Sequence, residues 1–378
     1  MGRPLIAVLF DGIEDPRVER TRRHKLSDVL LVALIGVLVG ERGWDGMADY
    51  AEAHEDELRG LLEFPHGPPS TDTIRRVMTA VDAGALSRAL TSWAQVLCKS
   101  TEGKQIAVDG KTIRGSFDAS GQPSLHMIHA WVCENELLLG QRATDVKSNE
   151  ITAIPALLEL LDLQKSTVTI DAMGCQKNIA KMIVDKKADY VFGLKGNHPT
   201  LHQEVLDAFD EEALTQARQS PDRYCEGADK GHGRLEIRRV YCLRNMAWLT
   251  HREPWPNLRS AVLVESESWR LGVRSSERRA YISSLDVPAS RFAELIRNHW
   301  HVENKLHWVL DVTFGEDRAR IKAKNGAQAL STLRKIALGL IKRAPEGRKK
   351  TSLVGKMRRA SWHFETLLQA LRAGLPEN

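Results

Sequence analysis

The 378-residue sequence predicts an α/β protein: a helical region up to about residue 98, followed by a mixed sheet. Two observations carry this. Residues 16–98 show helical apolar periodicity, and from residue 105 the pattern changes to short β-branched and apolar runs separated by amphipathic segments. Between 105 and 195 the order is three strands, helix, strand, helix, strand, which excludes an all-helical or all-β chain.

Taken in order, HKLSDVLLVALIGVLVG is apolar on most faces and predicts a buried helix, and GMADYAEAHEDELRGLL predicts an amphipathic one. PPSTDTIRRVMTAVD opens with a Pro-Ser-Thr-Asp cluster suited to a helix start, and Ala83–Leu97 supplies another helix. Helices, a turn and Arg75-Arg76 are compatible with a helix-turn-helix, as they are with many small bundles. QIAVD, MIHAWVC and ELLLGQR predict strands, EITAIPALLELLDL a helix, TVTID a strand, CQKNIAKMIVDKK a helix and DYVFGLK a strand. RLEIRRVYCL and RSAVLVESESWRL suggest an added β-rich unit at about 196–289, with Trp248, Trp255 and Trp269 scattered through it. Helical periodicity returns over 290–310 and continues into a basic C-terminal stretch.

Composition bounds the function classes. The chain is 42% hydrophobic and 27% charged, ordinary for a globular protein. Its longest apolar run, Val29–Val39, is too short to span a bilayer, and no secretory signal pattern opens the chain. Cys98, Cys133, Cys175, Cys225 and Cys242 are odd in number and widely spaced without C-x-x-C, which predicts a reduced, cytoplasmic protein. Net charge is +5 but unevenly spread. Arg318–Arg372 holds 15 Lys and Arg against Glu346 and Glu365, so a polyanion-binding surface competes there with a solvated helix face.

The segment QIAVDGKTIRGS carries a Gly-Lys-Thr triplet, yet position 105 is Gln where a phosphate-binding loop needs Gly, so a P-loop is not expected. What stands out is Asp109 ending the apolar run IAVD, as Asp171 ends VTID, with Gly shortly after each. Glu303 follows on the helix RNHWHVENKLHW. Singly, the aspartates read as turn residues and the glutamate as a solvent-facing one. Together, two strand-end aspartates and a later helical glutamate form the arrangement that holds two Mg²⁺ ions in phosphoryl-transfer enzymes acting on nucleic acid.

Several strings now coincide: PSTDTIRRV, AVDGKTIRGS, KSNEITAIPALLELLDL, TIDAMGCQKNIA, YVFGLKGNHPTLH, GHGRLEIRRV, YISSL and HWHVENKLHWVLDVTFGEDRARI. Through them the chain, from about Asp15 to Arg343, resembles the DDE transposases of bacterial insertion sequences, specifically the ISAs-type group with the H-repeat-associated proteins. The resemblance implies an RNase H-like core over 104–345 interrupted by the β-rich insertion, an N-terminal helical domain over 1–98, and a basic helical tail over 346–378. It implies Asp109, Asp171 and Glu303 as catalytic, metal-binding triad, with two Mg²⁺ ions (or Mn²⁺ in their place). It also implies double-stranded DNA, as element ends and target, for a partner, a homodimer in the synaptic complex, and a bacterial, nucleoid-associated location. One departure is His301-Val302, where the pattern has Gly-Ile. A nuclease on the same core and a DNA binder that has lost catalysis remain alternatives.

Other residues are weaker candidates. Lys111, Arg114, Lys195 and Asn197 follow core strands and are expected to meet DNA phosphates, as are Lys349, Lys350, Arg358 and Arg359 in the basic tail. His299, Glu303 and His307 share a helix face that could hold zinc, but they do not make the H-E-x-x-H motif. The histidines are expected in packing or phosphate contacts instead. Asp311 is expected to support the site without ligating metal, and Glu316 and Asp317 to precede the basic helix as its N-terminus.

Overall fold

A computed structural model describes residues 4–116, 124–144, 150–231, 234–250, 255–270, 273–319, 321, 323–346 and 350–374. Six helices come first: α1 (Leu5–Asp11), α2 (Leu26–Val39), α3 (Trp44–Ala53), α4 (Glu55–Leu58), α5 (Thr71–Ala80) and α6 (Ala83–Cys98). The apolar run becomes α2, whose residues are all buried, and it stops at Gly40 with φ 102°, a left-handed cap that suits glycine. Ser70 caps α5 by accepting from the Thr73 backbone N–H, as the cluster before it predicted. The amphipathic segment breaks at His54 into α3 and α4, and α1 was not expected.

One nine-stranded sheet follows, in the order β3-β2-β1-β4-β5-β9-β8-β7-β6. Its first five strands are β1 (Gln105–Ile113), β2 (Leu125–Val132), β3 (Leu137–Thr144), β4 (Thr167–Ile170) and β5 (Asp189–Leu194), with helices α7 (Glu150–Glu159) and α8 (Lys177–Asp185) around β4. β1, β4 and β5 run parallel, while β2 pairs antiparallel with β1 and β3 antiparallel with β2, the RNase H-like arrangement that the resemblance implied. Near-continuous apolar runs suit this centre, because helices cover both faces.

After α9 (Pro199–Asp207) and α10 (Glu211–Arg218), the β-rich segment forms β6 (Tyr224–Gly231), β7 (Arg234–Leu243), β8 (Ser260–Arg270) and β9 (Val273–Ser283). These four strands continue the core sheet, because β9 pairs antiparallel with β5. The near halves of β7, β8 and β9 are largely buried, whereas β6 has no buried residue, Glu265–Trp269 of β8 is half-buried and Val273–Arg278 of β9 is exposed, so the sheet projects as an arm. Trp255 is buried in the core, Trp269 lies on the arm beneath Arg274, and Trp248 is among the exposed large side chains.

The chain closes with α11 (Ala289–His299), a π-helical stretch (Val302–His307), α12 (Trp308–Val312), α13 (Lys324–Arg343), α14 (Leu353–Trp362) and α15 (Phe364–Arg372). α13 packs against α2, α5 and α6, so the first helices and the sheet share one apolar core. This burial takes in part of the basic stretch. Arg334, Lys335 and Lys356 are buried, leaving Lys350, Arg358 and Arg359 exposed, while Lys349 lies outside the described residues.

Candidate active site

The last paired residues of the parallel strands β1 and β4 are Val108 and Ile170, so Asp109 and Asp171 are the next residues in register. Asp109 is not at a strand end as expected. β1 continues to Ile113 because β2 goes on pairing with it after β4 has stopped. The two aspartates thus sit where a parallel pair splits, the place where open α/β sheets build sites. Glu303 lies in the π-helical stretch, a deformation frequent at functional sites. All three carboxylates line one cleft of about 320 Å³.

Electrostatically the cleft carries unbalanced negative charge. Burial, then the charge of Asp171, push the Asp109 carboxyl up to about 7, with Glu303 and Glu150 adding to it. Burial also raises Asp171, against bonds that its Oδ1 accepts from the backbone N–H groups of Met173 (3.0 Å) and Gly174 (3.4 Å). Behind them the histidines are neutral. Burial depresses His299 to about 4 and His307 to about 3, which removes both as phosphate-binding cations. His299 Nδ1 is 3.0 Å from Thr169 Oγ1. His307 stands between His129 (3.0 Å) and Asp109 (3.5 Å).

The expected phosphate contacts separate. Lys195 is exposed and lines the cleft. Asn197 instead donates to the Ala172 carbonyl at 2.7 Å, tying the loop after β5 to the loop that carries Asp171. Arg114 projects with its side chain 85% exposed, beyond a backbone bond to Asp317. Lys111 departs most from expectation. Its side chain is 7% exposed and faces Asp311, Glu316 and Asp317, because residue 111 points to the same face of β1 as Asp109, towards the helix. Burial works against its charge, but those carboxylates outweigh it and hold the ammonium above the usual lysine range. Glu316 and Asp317 occupy a separate 3₁₀ turn (Glu316–Arg318) well before α13, which corrects their expected place at a helix N-terminus.

Sequence reasoning missed Arg278, Arg279, Trp300 and Glu150. The first three line the cleft, with the Arg279 guanidinium 5.1 Å from the centre of the Trp300 ring. Trp300 could have been found three residues before Glu303, a helical neighbour. The arginines reach the cleft only through β9 pairing. Glu150 is buried and 2.7 Å from His126 Nε2, packed against Gly110, where a Cβ would lie 2.6 Å from its Oε1.

Comparison with known proteins identifies the family. The family pattern described as "Transposase DDE domain" matches residues 100–340, and the pattern "DDE_Tnp_1-associated" matches residues 8–94. The chain belongs to the DDE transposase family.

Among relatives in this family, "H repeat-associated putative transposase YhhI" of Escherichia coli K12 is 38% identical over 97% of this chain and 96% of its own length. "Putative transposase YncI" of Escherichia coli O157:H7 is 40% identical over 87% of this chain and 85% of its own. A distant structural likeness, with TM-score 0.43 and 11% identity over 97% of this chain and 80% of the other, is to the piggyBac transposase synaptic complex with hairpin DNA. Family membership supports a DNA transposase, from a family that generally uses divalent metal ions. The donor set fits such ions: hard carboxylate oxygens of Asp109, Asp171 and Glu303 lining one cleft. Among the described residues, no three metal-ligating side chains close to coordinating distance, and no helix is long and apolar enough to cross a membrane.

Proposed function

We propose that the cleft hydrolyses a phosphodiester at each end of an insertion element, exposing a 3′-OH, and directs that hydroxyl at a target phosphodiester. The observation that carries this reading is the meeting of Asp109, Asp171 and Glu303, from three separate elements, in one cleft edged by Lys195, Arg278 and Arg279. Asp109, Asp171 and Glu303 would hold two Mg²⁺ ions. Bound there, the ions supply nucleophile activation and stabilise the leaving oxygen. Everything else falls to the chain. The rim cations draw the DNA backbone toward the carboxylates, and Trp300 offers an aromatic face beside them. Neutral His299 and His307 leave the negative charge of the triad uncancelled. No side chain needs to form a covalent bond to DNA. Arg114 and the exposed Lys350, Arg358 and Arg359 extend the contact with the duplex, and two copies pair the two ends.

Incubating the protein with its flanking terminal repeats and Mg²⁺, mapping the cut strands, and then adding target DNA tests the reading. The expected result is metal-dependent release of 3′-OH ends that become joined to the target. Cutting without joining would make the protein a nuclease. Salt-sensitive DNA binding without cutting would make it an end-binding protein.

A further inference from the structure

Two stretches that follow the catalytic carboxylates meet in space. GKTIRGS follows Asp109 on β1, and LDVTFGED follows the helix of Glu303. Lys111 Nζ lies 2.5 Å from Asp311 Oδ1, 3.5 Å from Asp317 Oδ1 and 3.6 Å from Glu316 Oε2. Arg114 donates its backbone N–H to Asp317 Oδ1 at 3.1 Å. Gly115 permits the approach, because a Cβ there would lie 2.5 Å from the Ala319 carbonyl oxygen and 3.0 Å from that of Asp317. The contact is anchored from behind. Glu316 is fully buried and accepts from Ser331 Oγ at 2.7 Å, and Lys335 Nζ donates to Ser331 (2.8 Å) and to Gln141 (2.7 Å).

We infer that Lys111 is a positioning residue that sets the spacing of the carboxylates. It stands two residues from Asp109 on one strand, and its nearest partner, Asp311, stands eight residues from Glu303 along the catalytic helix. Sheet and helix carry their carboxylates toward one another against like-charge repulsion, and an attractive pair of a buried lysine and a half-buried aspartate on the same two elements opposes the splaying. Lys111 is not among the residues that line the cleft. Supporting groups of this kind, when removed, cost about 10–100-fold in metal affinity or activity. The inference rests on the proposed metal-dependent reading of the cleft.

The test compares Lys111→Met, Lys111→Arg and Asp311→Asn with the wild-type chain, and uses Lys165→Met, which breaks only an exposed pair with Glu102, as a control. Mn²⁺ affinity of the DNA-free protein is measured by paramagnetic resonance, cleavage of terminal-repeat DNA by single turnover, and folding by thermal melting. Lys111→Met and Asp311→Asn should each weaken Mn²⁺ about tenfold or more at temperatures below their melting points, with DNA affinity unchanged. Lys111→Arg should recover most of the loss, and the double variant should be no worse than the weaker single one. Asp311 is half-buried, so Asp311→Asn gives the answer even where Lys111→Met fails to fold. Folded Asp311→Asn that binds Mn²⁺ and cuts like the wild type overturns the inference. Wild-type protein that neither binds Mn²⁺ nor cuts overturns the reading of the cleft itself.

Discussion

Asp109 and Lys111 lie two residues apart on one strand and point to one face, yet their surroundings are opposite. Asp109 meets further carboxylates, and its own acid is pushed up to about 7, burial first and Asp171 next. Lys111 meets three carboxylates of its own and is held charged. The first cluster holds carboxylates without a cation and the second has a lysine at its centre, within about two turns of helix and two residues of strand. Charge left uncompensated in a cleft is a signature of work on a ligand, whereas paired buried charge is a signature of architecture. A third group belongs with the second: Glu136, in the turn between β2 and β3, receives Lys305 at 2.6 Å and Lys342 at 2.7 Å.

The largest expected effect comes from neutralising the unbalanced cluster. Asp109→Asn, Asp171→Asn and Glu303→Gln should each lower metal-dependent cleavage and joining by about 10³-fold or more, with DNA binding kept. Their losses should be non-additive, since groups acting as a unit fail together. Metal-free melting temperatures should hold or rise, because a like charge has been removed. A fall in melting temperature with cleavage intact would place these residues among the architectural pairs.

A smaller effect should come from the balanced side. Burial works to raise Glu136, but hydrogen bonds from Lys305 and Lys342 prevail and bring it down to about 2. Its stabilising contribution is therefore present above about pH 4.5 and lost as pH falls from there towards 2. Melting curves across that range should fall more steeply for the wild type than for Glu136→Gln. Identical pH slopes would mean that the two lysines leave the folded state indifferent to this carboxylate.

The smallest effect concerns cations at the surface. Replacing Lys350, Arg358 and Arg359 with Ala should make the slope of log K against log salt shallower by ~0.9 per lost phosphate contact, alike for specific and unrelated DNA. An unchanged slope would return α14 to an ordinary solvated face.

Much of this molecule was legible along the chain. The central strands and flanking helices fall where period-two and period-3.6 patterns put them, since such patterns report local burial. The triad was legible as two aspartates closing apolar runs and a glutamate in a recurring string. Harder to see were the broken helix at His54, the short α1 and strands β6 and β9, whose polar arm residues carry no alternation of buried and exposed positions.

By itself, then, the sequence determined the order of elements, the family and the acidic residues of the cleft. Only the tertiary structure decided that Asp109 lies within a strand, that the β-rich segment prolongs the core sheet, and that Lys111, Lys335 and Lys356 face inward. The physical reason is range. Periodicity records what each residue needs from neighbours two to four positions away, whereas Lys111 finds Asp311 two hundred residues later, through the packing of a helix on a sheet.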